Sequence, residues 1–320
     1  MPSEPRAGQT TPRYRGLVSS FSFEGQRIDY TEFGGGPAAV TSSGGRGRTA
    51  RAAPAAARPV ILVHGLLLTQ DMHRGLASDL AARGNRAITV DLLGHGRSDR
   101  PRDMWRYSMA IFARQIVALM DHLEIDEAVV LGTSLGANAA LEMASLAPDR
   151  LRGLVIEMPV LDNALLGSAL AFTPLLVALT FGEPLMKVVA RGARAIPRRL
   201  LPFWANVGLD TLRQDPAPGG AVLQGLFFGR IAPHRSERRT FETPALVIGH
   251  HRDPVHVFSD AGMLAGEMPH ARLLEADSLV ELRFSPERLT GEIARFLDEV
   301  WSGRKRAARR HAQTARGRGA

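Results

Sequence analysis

The five residues Gly132-Thr133-Ser134-Leu135-Gly136 fit the pattern G-x-S-x-G, and they join a run that reads as a strand to one that reads as a helix. A chain that turns this sharply holds its middle residue in a strained conformation and lifts the side chain clear of the backbone. Small flanking residues let the neighbouring backbones pass. A serine raised in this way can attack a carbonyl carbon, but only if a base takes its proton, because the hydroxyl alone is a poor nucleophile at neutral pH. A second element, His64-Gly65-Leu66, ends an earlier apolar run. The amides of Leu66 and Leu135 could together hold an oxyanion as it forms. His64 itself reads as a structural histidine beneath that loop. Candidate bases cluster in His250-His251-Arg252-Asp253-Pro254-Val255-His256.

These residues need a scaffold, and the hydropathy pattern supplies one. Gly16–Phe33 reads as two strands around a turn at Glu24-Gly25. The continuous apolar run Pro59–Val63 reads as a strand buried on both faces, as in a parallel sheet. Further strands are expected at Arg86–Val90, Ala128–Leu131, Leu154–Ile156, Ala245–Ile248 and Arg272–Leu274. Helices are expected at Asp71–Ala82, Ser108–Leu123, Ala137–Leu146, Ser259–Gly266 and Pro286–Trp301. Such alternation defines a doubly wound, mostly parallel α/β sheet. It breaks between Asp162 and Phe241, where the pattern is helical and apolar and is divided by Pro174, Pro184, Pro197 and Pro202. That segment is expected to form a helical cap over Ser134. Its apolar residues Leu165, Leu170, Phe172, Leu176, Phe181, Phe227 and Phe228 suggest an apolar pocket.

Taken together, Leu62-Val63-His64-Gly65, Asp91–Asp99, Gly132–Gly136 and Thr243–Gly249 followed by Asp253 resemble the α/β-hydrolase family over about Ser20–Trp301. The resemblance implies a serine nucleophile at Ser134 and a triad acid at Asp253. It implies that the loop at Gly94-His95-Gly96 is a tight turn, with His95 structural. It also implies a histidine after the last strand, and there the sequence departs. Asp277–Pro286 holds Asp277, Ser278, Glu281 and Arg283 but no imidazole. Either His256, three residues past Asp253, supplies the base, or His250, His251 or His64 does, or the chain has none. Asp162 is an alternative acid. Family members that cleave epoxides or carbon–halogen bonds use an aspartate at the elbow, and Ser134 excludes that chemistry.

Composition narrows the classes further. With 45% hydrophobic residues among 320 and no cysteine, the chain is neither disordered nor a multi-span membrane protein, and disulfides, thiolate zinc sites and a cysteine nucleophile are excluded. The net charge of +8 is unevenly spread. Ser302–Ala320 carries seven basic residues and Pro37–Arg58 four, both without an acid, which leaves −3 on the rest. Met1–Gly16 has no apolar signal-type segment, and a cytoplasmic location is expected. No phosphate loop, dinucleotide fingerprint or metal-binding histidine spacing is present, and no cofactor is expected.

The expected organisation is a disordered 1–15, a core over 16–161 and 242–301 with a flexible insert at 34–59, a cap at 162–241 and a basic disordered tail at 302–320. The expected function is hydrolysis of an ester, thioester or lactone-type carbonyl bond in a small apolar substrate, with no specific nucleic-acid partner and no transmembrane segment. The competing classes are a binding protein on the same fold that has lost its base, and a cofactor-free lyase or perhydrolase.

Overall fold

In the computed structural model, which describes residues 16–34, 58–253 and 255–317, eight strands form one sheet. They are β1 (Leu17–Phe23), β2 (Gln26–Phe33), β3 (Pro59–Val63), β4 (Arg86–Val90), β5 (Ala128–Thr133), β6 (Leu151–Glu157), β7 (Ala245–His250) and β8 (Ala271–Ala276), in the order β1-β2-β4-β3-β5-β6-β7-β8. The hairpin of β1 and β2 turns on Glu24 and Gly25 alone, both at positive φ, and joins β4 antiparallel; every later pairing is parallel. The expected doubly wound α/β class therefore describes the fold.

The helices are α1 (Arg74–Ala82), α2 (Met109–His122), α3 (Leu135–Leu146), α4 (Leu165–Phe181), α5 (Glu183–Ala195), α6 (Phe203–Arg213), α7 (Pro216–Phe227), α8 (Arg235–Arg238), α9 (Phe258–Glu267), α10 (Glu281–Phe284) and α11 (Glu287–Gly317). Side chains alternate across a strand, so each buried strand feeds two cores. On one face Ile61, Val63, Ile88 and Val130 meet Phe112 and Ile116 of α2 and Ala140 of α3. On the other, Val60, Leu62, Val129 and Leu131 meet Leu76 and Leu80 of α1 and Leu289, Ile293 and Leu297 of α11. Complete burial of each of the larger of these side chains stabilises the fold by about 1.5–3 kcal/mol.

Several boundaries differ from expectation for local reasons. The residues before α1 form a tighter turn, Gln70–His73, in which the Thr69 hydroxyl accepts the Asp71 amide. Helix α3 starts two residues earlier than its apolar pattern, because the elbow itself initiates it. Helix α11 runs to Gly317, into the segment 302–320 that the sequence reads as a basic disordered tail. Ala, Arg, Lys and Gln dominate there and are strong helix formers, so propensity alone can extend the helix. The expectations for 1–15, and for all of the 34–59 insert but its ends, fall outside the described residues. Helices α4 to α8 all lie between β6 and β7 in the chain.

Candidate active site

The elbow is built by close approach. Ser134 stands at φ 53°, ψ −110°, a strained backbone for a residue with a side chain. A Cβ on Gly132 would lie 2.1 Å from the Gly136 carbonyl oxygen, and one on Gly136 would lie 2.3 Å from that of Val63. Both positions therefore admit only glycine. The strain is held by hydrogen bonds: the Ser134 amide donates to the Glu157 carbonyl at the end of β6 (2.9 Å), and the Asn138 amide donates to the Ser134 carbonyl (3.0 Å). Leu135 opens α3, where the first amides have no partner within the helix and the helix dipole is positive.

The loop after β7 brings the other two groups. His256 Nε2 lies 2.8 Å from Ser134 Oγ, and His256 Nδ1 lies 2.8 Å from Asp253 Oδ2. The second oxygen, Asp253 Oδ1, accepts the amides of Val255 and His256, each at 2.9 Å. That pair of bonds folds the loop back, so that an acid and an imidazole three residues apart can meet. Burial opposes ionisation of Asp253, but the bonds from the His256 ring, its amide and the Val255 amide outweigh it and hold the carboxyl below its ordinary value.

The remaining histidines point elsewhere. His250 is buried; its Nδ1–H donates to the Ser278 carbonyl (2.9 Å) and its Nε2 lies 3.4 Å from Glu157 Oε1, as a charge pair rather than a well-aligned hydrogen bond. His251 stacks on Phe258 and reaches Glu275 at the surface. His64 is fully buried, bonded to the Gly65 carbonyl through Nδ1 and accepting the Leu92 amide at Nε2, and burial lowers its pKa. His95 bonds the Leu93 carbonyl and is likewise kept neutral by burial. His73, buried beneath the same loop, is lowered to about 3, chiefly by desolvation. Asp162 pairs with Arg238 at 2.8 Å, outside the site.

Above Ser134 lies a cavity of about 260 Å³. Leu66 and Leu135 line it beside the serine; Leu165, Ser168, Ala169 and Phe172 come from α4, and Leu223, Leu226 and Phe227 from α7. Of the seven apolar residues expected to form a pocket, Leu165, Phe172 and Phe227 line it, whereas Leu170, Phe181 and Phe228 turn to the surface. An apolar helix shows no periodicity that would separate its two faces in the sequence.

Three supporting groups had no sequence signal. Glu157 is buried at the end of β6, where its carboxylate accepts the Thr133 hydroxyl (2.5 Å) and two bonds from Arg283 (2.7 and 3.1 Å). Burial opposes its ionisation, but the adjacent Arg283 and His250 push its pKa far below the ordinary carboxylate range. The window after β8 thus supplies a guanidinium under the elbow where the family resemblance implied an imidazole. Asn138 bonds Val160 and Ile231, tying α3 to both sides of the helical insertion. Asp260 is buried and accepts the amides of Leu161, Asn163 and Ala164 at the entry to α4. Each contact joins residues far apart in the chain.

A parallel sheet with a strained serine between β5 and α3 is the frame of the α/β hydrolase fold, and the model of that family matches residues 58–230. The chain belongs to the α/β hydrolase fold family. It is 30% identical over 106 residues to a haloalkane dehalogenase of Mycolicibacterium paratuberculosis, covering 33% of this chain and 35% of that one. It is 34% identical over 100 residues to a 2-hydroxymuconate semialdehyde hydrolase of a Pseudomonas species, covering 31% and 35%. The chain thus spans about a third of the length of these curated relatives. A solved hydrolase from Pseudomonas aeruginosa shares the fold with a TM-score of 0.67 at 21% identity, covering 88% of this chain and 98% of that one. Among the described residues no single helix is long and apolar enough to cross a membrane.

Proposed function

We propose that the protein is a serine hydrolase acting on an ester, thioester or lactone-type carbonyl of a small apolar substrate. The observation that carries this reading is the relay in which His256 lies 2.8 Å from both Ser134 Oγ and Asp253 Oδ2. Ser134 Oγ attacks the carbonyl carbon while His256 Nε2 takes the hydroxyl proton. The carbonyl electron pair moves onto oxygen, held by the amides of Leu66 and Leu135. Collapse of this intermediate expels the alcohol or thiol, protonated by His256. A water, deprotonated in turn by His256, cleaves the acyl-enzyme, releases the acid and restores Ser134. Asp253 keeps the proton on Nδ1, so that Nε2 faces the serine as an acceptor.

The cavity supports an apolar acyl group. Its lining carries Ser134, Asn138 and Ser168 as polar side chains and no charged one. In this reading α4 and α7 form the cap. The aspartate-dependent chemistry of a dehalogenase has no counterpart here, because a serine stands at the elbow. A fluorophosphonate probe tests the proposal. The full chain should gain one covalent adduct, at Ser134, and Ser134→Ala should gain none. A wild-type chain that stays unlabelled, or an adduct that persists in the alanine variant, would reject it.

A further inference from the structure

Helix α4 breaks the rule that the core helices follow. Helix α3 buries ten of its twelve residues, whereas α4 has seventeen residues, no charge, and only Leu179 buried. A helix that is apolar all round belongs inside a protein or against lipid. The inner stripe of α4, Leu165, Ser168, Ala169 and Phe172, lines the Ser134 cavity. The opposite stripe, Leu166, Leu170, Val177 and Phe181, recurs at helical spacing and is 72, 67, 49 and 81% exposed. Beyond the turn at Gly182, α5 continues it with Leu185 and Val188, both exposed. Single exposed apolar side chains are ordinary, but a run of this kind marks a contact surface.

The charge beside that run is mostly positive, although Lys187 pairs with Glu183 and Arg198 with Asp210. From Leu165 to Leu200 the chain holds five bases (Lys187, Arg191, Arg194, Arg198 and Arg199) and one acid (Glu183), a net +4. Arg191 and Arg199 are exposed and form no ion pair with any described residue. At 100° per residue, Lys187, Arg191 and Arg194 lie on the polar side of α5, about 100°, 60° and 120° round from Val188 and away from Leu185. Long basic side chains in that position can lay their methylenes on apolar surface and carry their charge to the level of lipid headgroups. A second copy of the chain meeting this face in a two-fold contact would set basic rim against basic rim.

The geometry points to the outer face of α4 and α5 as a docking surface for an anionic lipid bilayer. The helices meet at a bend of 97°, and in this proposal both lie along the bilayer surface. Because α4 also walls the cavity, docking sets the outer side of that wall against lipid. The inference goes beyond the proposed hydrolysis and does not depend on it.

Co-sedimentation of the full chain with vesicles tests it. The chain should bind phosphatidylcholine vesicles containing about one third phosphatidylglycerol, and at least tenfold less to phosphatidylcholine alone, with added salt weakening the binding. The combined variant Leu166→Ser, Leu170→Ser, Val177→Ser, Phe181→Ser should lose at least about tenfold in affinity, and Arg191→Glu with Arg199→Glu should abolish the preference for anionic lipid. Circular dichroism and urea unfolding that match wild type would show an intact fold in each variant, and fluorophosphonate labelling, read separately, distinguishes a failure of docking from a failure of hydrolysis.

The basic residues 302–320 are present in every protein compared, so binding that is unchanged in both variants would overturn the proposal. So would a wild-type chain that ignores vesicles, or one that self-associates through this face and leaves lipid unbound. Because the chain has no cysteine, Phe181→Cys can carry a single environment-sensitive fluorophore. Its emission should shift to the blue on vesicles and be quenched by brominated acyl chains. Unchanged emission in vesicle-bound protein would also overturn the proposal, whatever the fate of the multiple variants.

Discussion

The loops that leave β7 and β8 emerge side by side, with His250 paired to Ala276 in the last rung of the sheet, yet they serve the elbow in different ways. The β7 loop approaches Ser134 from the solvent side of the turn and carries both Asp253 and His256. The β8 loop sends Arg283 beneath the elbow, to the buried Glu157 carboxylate and the Thr133 hydroxyl. In the family pattern these two loops divide the acid and the base between them; in the relay proposed for this chain one loop carries both Asp253 and His256. A proton relay requires one imidazole nitrogen within reach of the serine and the other within reach of a carboxylate, and the order of those groups in the chain is secondary.

The largest effect is expected at Asp253 on the β7 loop. Asp253→Asn should lower kcat on short p-nitrophenyl esters by about 10⁴-fold, because an amide cannot hold the His256 tautomer that faces Ser134. A loss of less than tenfold would mean that Asp253 only shapes the loop.

The β8 side should respond in stability. Glu157→Ala leaves Arg283 unpaired in a buried site and should cost about 3–5 kcal/mol in urea unfolding. A loss below 1 kcal/mol would mean that the pair is not a structural support of the elbow.

The smallest expected effect is a slope with pH. Burial disfavours a charged His250, but Glu157 more than offsets this and raises its pKa above the ordinary 6.5. The stabilisation from His250 is therefore complete below about 6.5 and lost as pH rises through the raised value. Glu157, held below its ordinary 4.5, contributes above about 4.5 and loses that contribution as pH falls through its folded value. The network should help most between about pH 4.5 and 6.5. His250→Asn should flatten the fall in stability on the alkaline side, and an unchanged slope would remove His250 from the network.

Much of this was legible in the sequence. The strand and helix runs follow from hydropathy period, and Gly132, Ser134 and Gly136 follow from the steric demands of the elbow. Asp253 followed from the family resemblance. His256 was visible only as one of several imidazoles, because the choice among His250, His251 and His256 depends on where each ring points. That direction is set by the turn Asp253 makes with the Val255 and His256 amides, by Glu157 at the buried end of β6 and by Phe258 at the surface. Glu157, Asn138 and Asp260 looked like ordinary polar residues, since their partners lie far away in the chain. The exposed stripe of α4 was hidden for the opposite reason: an apolar helix announces burial, and nothing in its spacing says which side stays open.

The proposed hydrolysis requires His256 and Ser134 to act as a single unit. The direct test is a cycle of Ser134→Ala, His256→Ala and the double variant, with kcat measured on a short p-nitrophenyl ester and folding checked by circular dichroism. Groups that act together are strongly non-additive, so each single variant should fall by about 10⁴–10⁶-fold and the double variant should be no slower than either. A His256→Ala enzyme that keeps its rate to within about tenfold, or a double variant whose loss is the product of the two single losses, would contradict the account.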